Sequence, residues 1–260
     1  MTLTLSVVDA FTDRPFAGNP AAVAVLEHPL PDETLGRVAA EMNLAETAFV
    51  APRGDGDWDL RWFTPTTEVD LCGHATLATA KVLGGELRFH TRSGVLAART
   101  GADGSVELDF PADPPVAAAM PSALAVALGC EPLGAHRARH FLVAELGSAT
   151  AVRTLQPDIG AIARAEPQPV IVTAPGDRPG IACVSRVFGP NVGIPEDPVT
   201  GSAHCVLACL WGDRTGSSEL VGEQASARGG EVRMRRDGDR VRLSGHAVVV
   251  SEVRIVADLA

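Results

Sequence analysis

Two short segments, one in each half of the chain, place glycine and hydrogen-bonding residues immediately before an apolar run with helical spacing. Residues 72–75 read CGHA and residues 200–203 read TGSA. Unbonded backbone N–H groups at a helix start attract an anion, and Gly73 and Gly201 permit a close approach. With Thr200 and Ser202 as hydrogen-bonding side chains, the two helix starts predict binding of a carboxylate-bearing substrate. Plain N-capping is the alternative interpretation.

The candidates for proton transfer in the first half are Glu46, His74 and Cys72. Glu46 stands in the apolar stretch NLAETAFV, where desolvation would raise its pKa and make it a usable general acid or base. The alternative is a capping acid or a buried partner of an arginine. His74 is placed to donate a hydrogen bond or move a proton, or else to serve as a half-buried structural histidine. Cys72 is a candidate thiolate and a candidate substrate-binding residue at a helix start.

In the second half the candidate is Asp197, which precedes a proline in GIPEDPVTGSAHC. Proline holds the preceding residue extended, which would present the carboxylate towards the helix start; solvated loop acids are the alternative. The first half has Glu68 and Asp70 in the comparable place. His204 lies in the apolar run after the helix start and is predicted to pack.

No motif for a metal or a cofactor accompanies these residues. Cys205 and Cys209 have a spacing of four, but no second metal-like pair is evident. The chain contains no phosphate loop, no dinucleotide fingerprint and no Gly-x-Ser-x-Gly elbow. We therefore predict chemistry that uses neither a metal nor another cofactor.

The elements that would position these residues come as an internal repeat. Residues 61–80 (RWFTPTTEVDLCGHATLATA) resemble residues 186–210 (RVFGPNVGIPEDPVTGSAHCVLACL), and Gly73 lies 128 positions before Gly201 in a chain of 260 residues. Two similar halves are therefore predicted. Strands dominate the pattern, with one central helix in each half, which indicates an α+β fold. The detailed expectations include a helix at 121–129, strands near 139–146 and 149–153, and a linker at 111–115 (PADPP).

Composition narrows the class of protein. Hydrophobic residues make up 46% and charged residues 21%, as in an ordinary globular protein, and the net charge is −10. An acidic surface argues against nucleic acid and anionic membranes as partners. The start of the sequence has no basic leader, no long uncharged apolar segment is present, and the five cysteines have no regular spacing. These features favour a cytoplasmic protein.

The stretches VDAFTDRPFAGNPAAVAVL, MNLAETAFV, FTPTTEVDLCGHATLATA and GIPEDPVTGSAHC together resemble the PhzF-like family, phenazine-biosynthesis isomerases related in fold to diaminopimelate epimerase. The resemblance implies two pseudo-symmetric domains, each a β-barrel-like sheet around a central helix, with the site in the cleft between them. The last strand, about 248–260, would return to the first domain (1–114), leaving 115–247 as the second. A homodimer is common in the family.

The resemblance also assigns roles to the candidate residues. Glu46 matches the general acid/base glutamate, and the other substrate-site residues match His74, Asp197 and Ser202, with Gly73 and Gly201 lending N–H groups to the substrate carboxylate. Many members carry Ser where this chain has Ala45.

The implied activity is an isomerisation of the trans-2,3-dihydro-3-hydroxyanthranilate type, in which a proton moves between carbons of one molecule. Two alternatives are an amino-acid epimerase, with Glu46 or Cys72 facing Asp197, and a non-catalytic protein that binds a small molecule.

Overall fold

The computed structural model describes residues 3–257. The chain divides into two compact units, one formed by Met1–Asp109 with Ser244–Ala260 and the other by Phe110–Leu243. The predicted domain boundaries, after residues 114 and 247, lie close to the ends of these units. Residues 258–260 of the predicted last strand lie outside the described residues; the strand itself is Ala247–Ile255.

The first unit contains nine strands and two helices among its described residues. The strands are β1 (Leu3–Ala10), β2 (Asn19–Val25), β3 (Glu46–Pro52), β4 (Trp58–Phe63), β5 (Glu68–Val69), β6 (Glu86–Thr91), β7 (Gly94–Thr100), β8 (Val106–Pro111, whose last two residues belong to the second unit) and, late in the chain, β18 (Ala247–Ile255). The helices are α1 (Asp32–Met42) and α2 (Gly73–Leu83).

The strands of the first unit follow one another in a regular pattern of pairing. Antiparallel β1 lies between β18 and β2, and β2 runs parallel to β3. β4 is antiparallel to β3 and to β5 and parallel to β6, after which β6, β7 and β8 form an antiparallel series. The two parallel steps are the crossovers that contain α1 and α2.

The second unit contains the remaining strands and four helices of the described chain. The strands are β9 (Val116–Ala118), β10 (Gly134–Arg137), β11 (Leu142–Glu145), β12 (Val170–Pro175), β13 (Cys183–Gly189), β14 (Ile194–Asp197), β15 (Glu219–Gln224), β16 (Gly230–Asp237) and β17 (Arg240–Gly245, whose last two residues belong to the first unit). The helices are α3 (Ser122–Leu128), α4 (Ala149–Thr154), α5 (Ile159–Ala165) and α6 (Gly201–Thr215), with a 3-10 turn at Pro190–Val192.

The pairing of the second unit repeats that of the first. β10 is antiparallel to β9 and β11, β11 is parallel to β12, and β12 is antiparallel to β13. β13 is antiparallel to β14 and parallel to β15, which continues into antiparallel β16. The parallel crossovers again contain helices, α4 with α5 and then α6. The internal repeat predicted from the sequence is therefore present in the order of the strands.

One helix in each unit is buried on nearly all sides. Residues 74–80 of α2 are all buried, and the helix contacts β1, β2, β3, β7 and β18. Residues 203–211 of α6 are likewise buried, and it contacts β13, β15 and β16. Small residues such as Ala and Thr allow strands to approach a helix on several faces, so each sheet wraps around its helix. The predicted α+β class, with a sheet around a central helix in each half, is confirmed.

Separate apolar cores fill the space on the other face of the sheets. In the first unit, α1 packs Leu35 and Val38 against Leu5, Phe49 and Phe63. In the second, Leu124 of α3, Val152 of α4 and Ile162 of α5 pack against Val172 and Phe188.

Two details of the predicted secondary structure are wrong. Residues 149–153 form α4 rather than a strand, because the Ser148 side chain caps the helix by accepting a hydrogen bond from the backbone N–H of Ala151. The prediction also omits α5 (Ile159–Ala165), whereas α3, at 122–128, lies where a helix was predicted.

Two general observations bear on the setting of the protein. Among residues 3–257, no helix combines the length and apolarity needed to cross a membrane. The five cysteines, all within the described part of the chain, form no disulfide.

Candidate active site

Glu46 is the first residue of β3, at the point where the chain returns from α1 to the sheet. Helix α1 ends at Asn43, which adopts a left-handed conformation (φ 49°) and donates its backbone N–H to the carbonyl of Ala39. This turn brings the chain into β3, where Glu46 pairs in register with Ala21 of β2. The Glu46 residue is only 8% exposed. The prediction that this carboxylate lies in apolar, largely dry surroundings is confirmed.

Cys72 and His74 approach Glu46 from the start of α2. Cys72 is the N-cap residue, with an extended backbone and no side-chain cap, and its carbonyl accepts from the N–H of Thr76. His74 Nε2 lies 3.2 Å from Glu46 Oε2, although the angle is not that of a well-aligned hydrogen bond. His74 Nδ1 lies 3.5 Å from Cys72 Sγ. Three of the predicted residues therefore meet in one buried cluster, which we call the Glu46 cluster.

Burial decides the charge state of His74. The side chain is 6% exposed, and desolvation lowers its pKa from 6.5 to about 3. The imidazole is therefore neutral at physiological pH and carries one N–H. A neutral ring of this kind can donate one hydrogen bond and accept another, but it cannot supply a positive charge.

Asp197 and Thr200 meet in the second unit, at the start of α6. Asp197 is the last residue of β14, and its carboxylate Oδ2 accepts a 2.6 Å hydrogen bond from the hydroxyl of Thr200. Thr200 is the N-cap residue of α6 but does not cap it with its side chain. Gly201 is buried and Ser202 is exposed at the first turn. The predicted partners of this half are thus adjacent, with the Thr200 hydroxyl committed to Asp197.

Gln224, which the sequence did not suggest, holds this segment in place. Its side chain is fully buried at the end of β15. The amide oxygen accepts from the backbone N–H of Thr200 at 2.8 Å, and the amide nitrogen donates to the carbonyl of Asp197 at 2.7 Å and to the Thr200 hydroxyl at 3.2 Å. A single glutamine at the end of a strand carries no signal of such a role.

His204 is a core residue of α6, as predicted. Its Nδ1 donates to the carbonyl of Thr200 at 2.8 Å, one turn earlier in the helix. Desolvation is the largest effect on this ring and lowers its pKa to about 4, against a smaller opposing effect of the Thr200 hydrogen bond. His204 therefore supports the helix start as a neutral side chain.

The repeated Arg-x-Phe segments form matching ion pairs. Arg61 donates two hydrogen bonds, of 2.8 and 2.7 Å, to the carboxylate of Glu68, and its guanidinium lies 5.1 Å from the centre of the Phe63 ring. Arg186 grips Glu196 through hydrogen bonds of 2.7 and 2.9 Å and stacks in the same way on Phe188 at 5.0 Å. The acids that follow the repeated arginines are therefore structural partners, because a bidentate pair of this kind fixes β5 and β14 against the neighbouring strand.

The candidate site residues Asp197 and Glu46 do not follow the repeat. Asp197 pairs with Val187 in the second unit, and the matching pair in the first unit joins Val69 to Trp62. The expectation that Glu68 and Asp70 occupy the place of Asp197 is therefore wrong.

The position of Glu46 shows the same asymmetry. Thr47 pairs with Phe63 and Val170 with Phe188, so the residue equivalent to Glu46 in the second unit is Pro169.

Two groups of side chains within residues 3–257 have the composition of a metal site: the Glu46 cluster, and Asp55 with Asp57 and His90. In the Glu46 cluster, one ligand atom from each of the three residues lies within 4.8 Å of the other two. In the second group, arginines already pair with both carboxylates.

Comparison with known proteins agrees with this structure. Residues 8–253 match the family model described as phenazine biosynthesis-like protein, PhzC-PhzF. A protein of Pseudomonas aeruginosa named as an uncharacterized isomerase is 46% identical over 262 residues, which cover 98% of this chain and 99% of that protein.

Solved structures show the same relationship. A PhzF-family protein of Enterococcus faecalis superposes with a TM-score of 0.94 at 38% identity, covering 99% of this chain and 100% of that one. The hydroxyproline epimerase of Agrobacterium vitis shares the fold alone, with a TM-score of 0.59 at 12% identity over 98% of this chain and 92% of that one. The chain therefore belongs to the phenazine biosynthesis-like (PhzF) family, whose fold is related to that of the epimerases.

Proposed function

We propose that this protein is a cofactor-independent isomerase that moves a proton between two carbons of a small carboxylate-bearing molecule. The observation that carries the proposal is the buried carboxylate of Glu46, which lies beside a neutral histidine and has Pro169 as its equivalent in the other half. A transfer on one face of a substrate needs one base that later acts as an acid, and Glu46 has the surroundings for that role.

In this proposal Glu46 removes a proton from a carbon activated by a neighbouring unsaturated or carboxylated group. The C–H bond breaks, its electron pair stays on the substrate, and the proton forms an O–H bond on Glu46. The same O–H bond then breaks as the proton returns to another carbon of the molecule. His74 contributes a hydrogen bond from its neutral ring, which stabilises negative charge as it develops.

The residues at the two helix starts are proposed to bind and orient the substrate. The backbone N–H groups of Gly73 and Gly201 suit a carboxylate, as helix N-termini do in general. The hydroxyl of Ser202 is exposed and available for a ligand, whereas Asp197 and Thr200 are bonded to one another. Cys72, whose sulfur lies 3.5 Å from His74 Nδ1, contributes through that ring.

The test is proton NMR in heavy water with trans-2,3-dihydro-3-hydroxyanthranilate and a panel of amino acids. Glu46→Gln keeps the shape of the side chain but removes the base, and we expect it to lower turnover by about 10²- to 10⁴-fold. Glu86→Gln, at an exposed position of β6, is the matched control and should leave turnover unchanged. Turnover close to that of wild type in Glu46→Gln would contradict the proposal.

The same spectra separate the alternatives. Exchange at an α-carbon with loss of stereochemistry would indicate an epimerase, for which the thiol of Cys72, 3.5 Å from His74, is a second candidate base. Ligand binding in calorimetry without any turnover would indicate a binding protein.

A cytoplasmic location and a homodimer belong to the same proposal. The dimer is supported by the family resemblance, and sedimentation equilibrium tests it directly, since the mass of a single chain would contradict it.

A further inference from the structure

The imidazole of His74 has a polar group beside each of its two ring nitrogens. Glu46 Oε2 lies 3.2 Å from Nε2, and Cys72 Sγ lies 3.5 Å from Nδ1. All three residues are buried. The ring thus lies between a carboxylate and a thiol. The position of its single N–H proton determines whether each of these groups faces an N–H or a nitrogen lone pair.

Two tautomers are available to the neutral ring. With the proton on Nε2, the N–H lies beside the carboxylate of Glu46, although not in line for a hydrogen bond, and Nδ1 is left to accept from the S–H of Cys72. With the proton on Nδ1, a lone pair on Nε2 faces the carboxylate, and the N–H points at sulfur, which is a weak acceptor. At 3.2 Å the charge of an ionised carboxylate favours a nearby N–H over a nearby lone pair even without that alignment. The first arrangement is therefore favoured while Glu46 is ionised and Cys72 keeps its proton.

We propose that Cys72 is a positioning residue that holds His74 in the Nε2–H tautomer. It does so by donating its S–H to Nδ1, which leaves Nε2 as the protonated nitrogen. Neither neighbour of Cys72 offers such a side chain, since Leu71 is apolar and Gly73 has none. The thiol is therefore assigned to His74, whose Nδ1 lies 3.5 Å from the sulfur.

This assignment has a consequence for proton transfer, which rests on the proposed function. When Glu46 takes a proton from the substrate, a ring with Nε2 already protonated cannot accept that proton. The proton stays on the carboxyl group and remains available for return to the same molecule. Without the S–H donor, the Nδ1–H tautomer becomes accessible. Its bare Nε2 can take the proton from Glu46 while Nδ1 releases its own proton to solvent at the place of the thiol, so the ring stays neutral and the proton exchanges with solvent.

The first experiment measures the tautomer alone and needs no substrate. Nitrogen-15 NMR of protein labelled at histidine distinguishes a protonated ring nitrogen from a bare one, and the signals of His74 are assigned through their loss in His74→Asn. We expect wild type and Cys72→Ser, which retains a donor, to show a protonated Nε2 and a bare Nδ1. Cys72→Ala should shift His74 towards the Nδ1–H form. A wild-type ring protonated on Nδ1, or a Cys72→Ala spectrum identical to that of wild type, overturns the proposal.

The second experiment measures proton retention during turnover in heavy water. We expect Cys72→Ala to raise the fraction of product that carries solvent deuterium, while Cys72→Ser restores the wild-type fraction. Cys183→Ala, which removes a buried thiol from β13 of the other unit, is the control and should match wild type. If the tautomer shifts but the deuterium fraction does not, proton retention by Cys72 is refuted. If no substrate turns over, the proposed function fails, and the tautomer experiment still decides the role of Cys72.

Discussion

Acid should destabilise the fold through His204, and the structure gives the size of the effect. The side chain is fully buried, and within residues 3–257 its Nε2 has no hydrogen-bond partner. The ring also packs closely on Gly222, where an added Cβ would lie 3.1 Å from His204 Cδ2. These surroundings hold the pKa of His204 at about 4, compared with 6.5 for an exposed histidine.

The sign follows from proton linkage. Because the folded pKa is the lower one, the unfolded chain binds the proton first, and stability falls as the pH drops through 6.5 towards 4. Between pH 7 and pH 5 the unfolded histidine becomes almost fully protonated while the folded one stays neutral. The free energy of unfolding should therefore fall by about 2 kcal/mol on account of this one group.

The assay is urea unfolding at pH 7 and pH 5, followed by circular dichroism, for wild type and His204→Asn. Asparagine can still donate to the Thr200 carbonyl but does not titrate, so the difference between the two pH values should shrink by about 2 kcal/mol whatever the variant's own stability. His28→Asn, at an exposed position, is the control and should leave the difference as it is in wild type. An equal pH dependence in wild type and His204→Asn would refute the reasoning.

Two further predictions concern the backbone around the helix starts and the turns. Gln224→Ala leaves the partly buried N–H of Thr200 without its acceptor, so we expect the free energy of unfolding in urea to fall by about 1–3 kcal/mol and turnover to fall as well; unchanged stability would contradict the role of Gln224 in holding this segment. Gly176→Ala would put a Cβ 2.0 Å from the carbonyl oxygen of Ile181, whereas Gly54→Ala meets nothing within 4 Å. Thermal unfolding should therefore show a large loss for the first variant and little change for the second, and similar melting temperatures would contradict this.

The sequence predicted the elements whose pattern is local. The repeat, the buried helix after each Gly-His-Ala or Gly-Ser-Ala segment, and the dry surroundings of Glu46 all follow from periodicity and neighbouring residues. Residues 149–153 were predicted as a strand because their small and β-branched side chains alternate. The side chain of Ser148 caps this segment, and the cap favours a helix over a strand.

Contacts between segments that are distant in sequence could not be predicted from the sequence. Gln224 reaches Thr200 only because β15 runs parallel to β13, which places the end of one strand beside the start of a helix. The different roles of the acidic residues in the repeat could not be predicted for a similar reason. Strand register, and not the spacing of acids along the chain, decides that Glu196 binds Arg186 while Asp197 faces the Thr200 hydroxyl.

The pairing of β18 with β1 has a consequence for synthesis on the ribosome. Strand β1 lies between β2 and β18, yet β18 is made only after the whole second unit, which is continuous in sequence from Phe110 to Leu243. One edge of β1 therefore stays open while more than half of the chain emerges, and an open edge is prone to pair with other chains. The order of completion is thus the reverse of the usual N-terminal-first order: the second unit can close first, and the first unit is completed afterwards. A chaperone that shields a strand edge would be needed most during that interval.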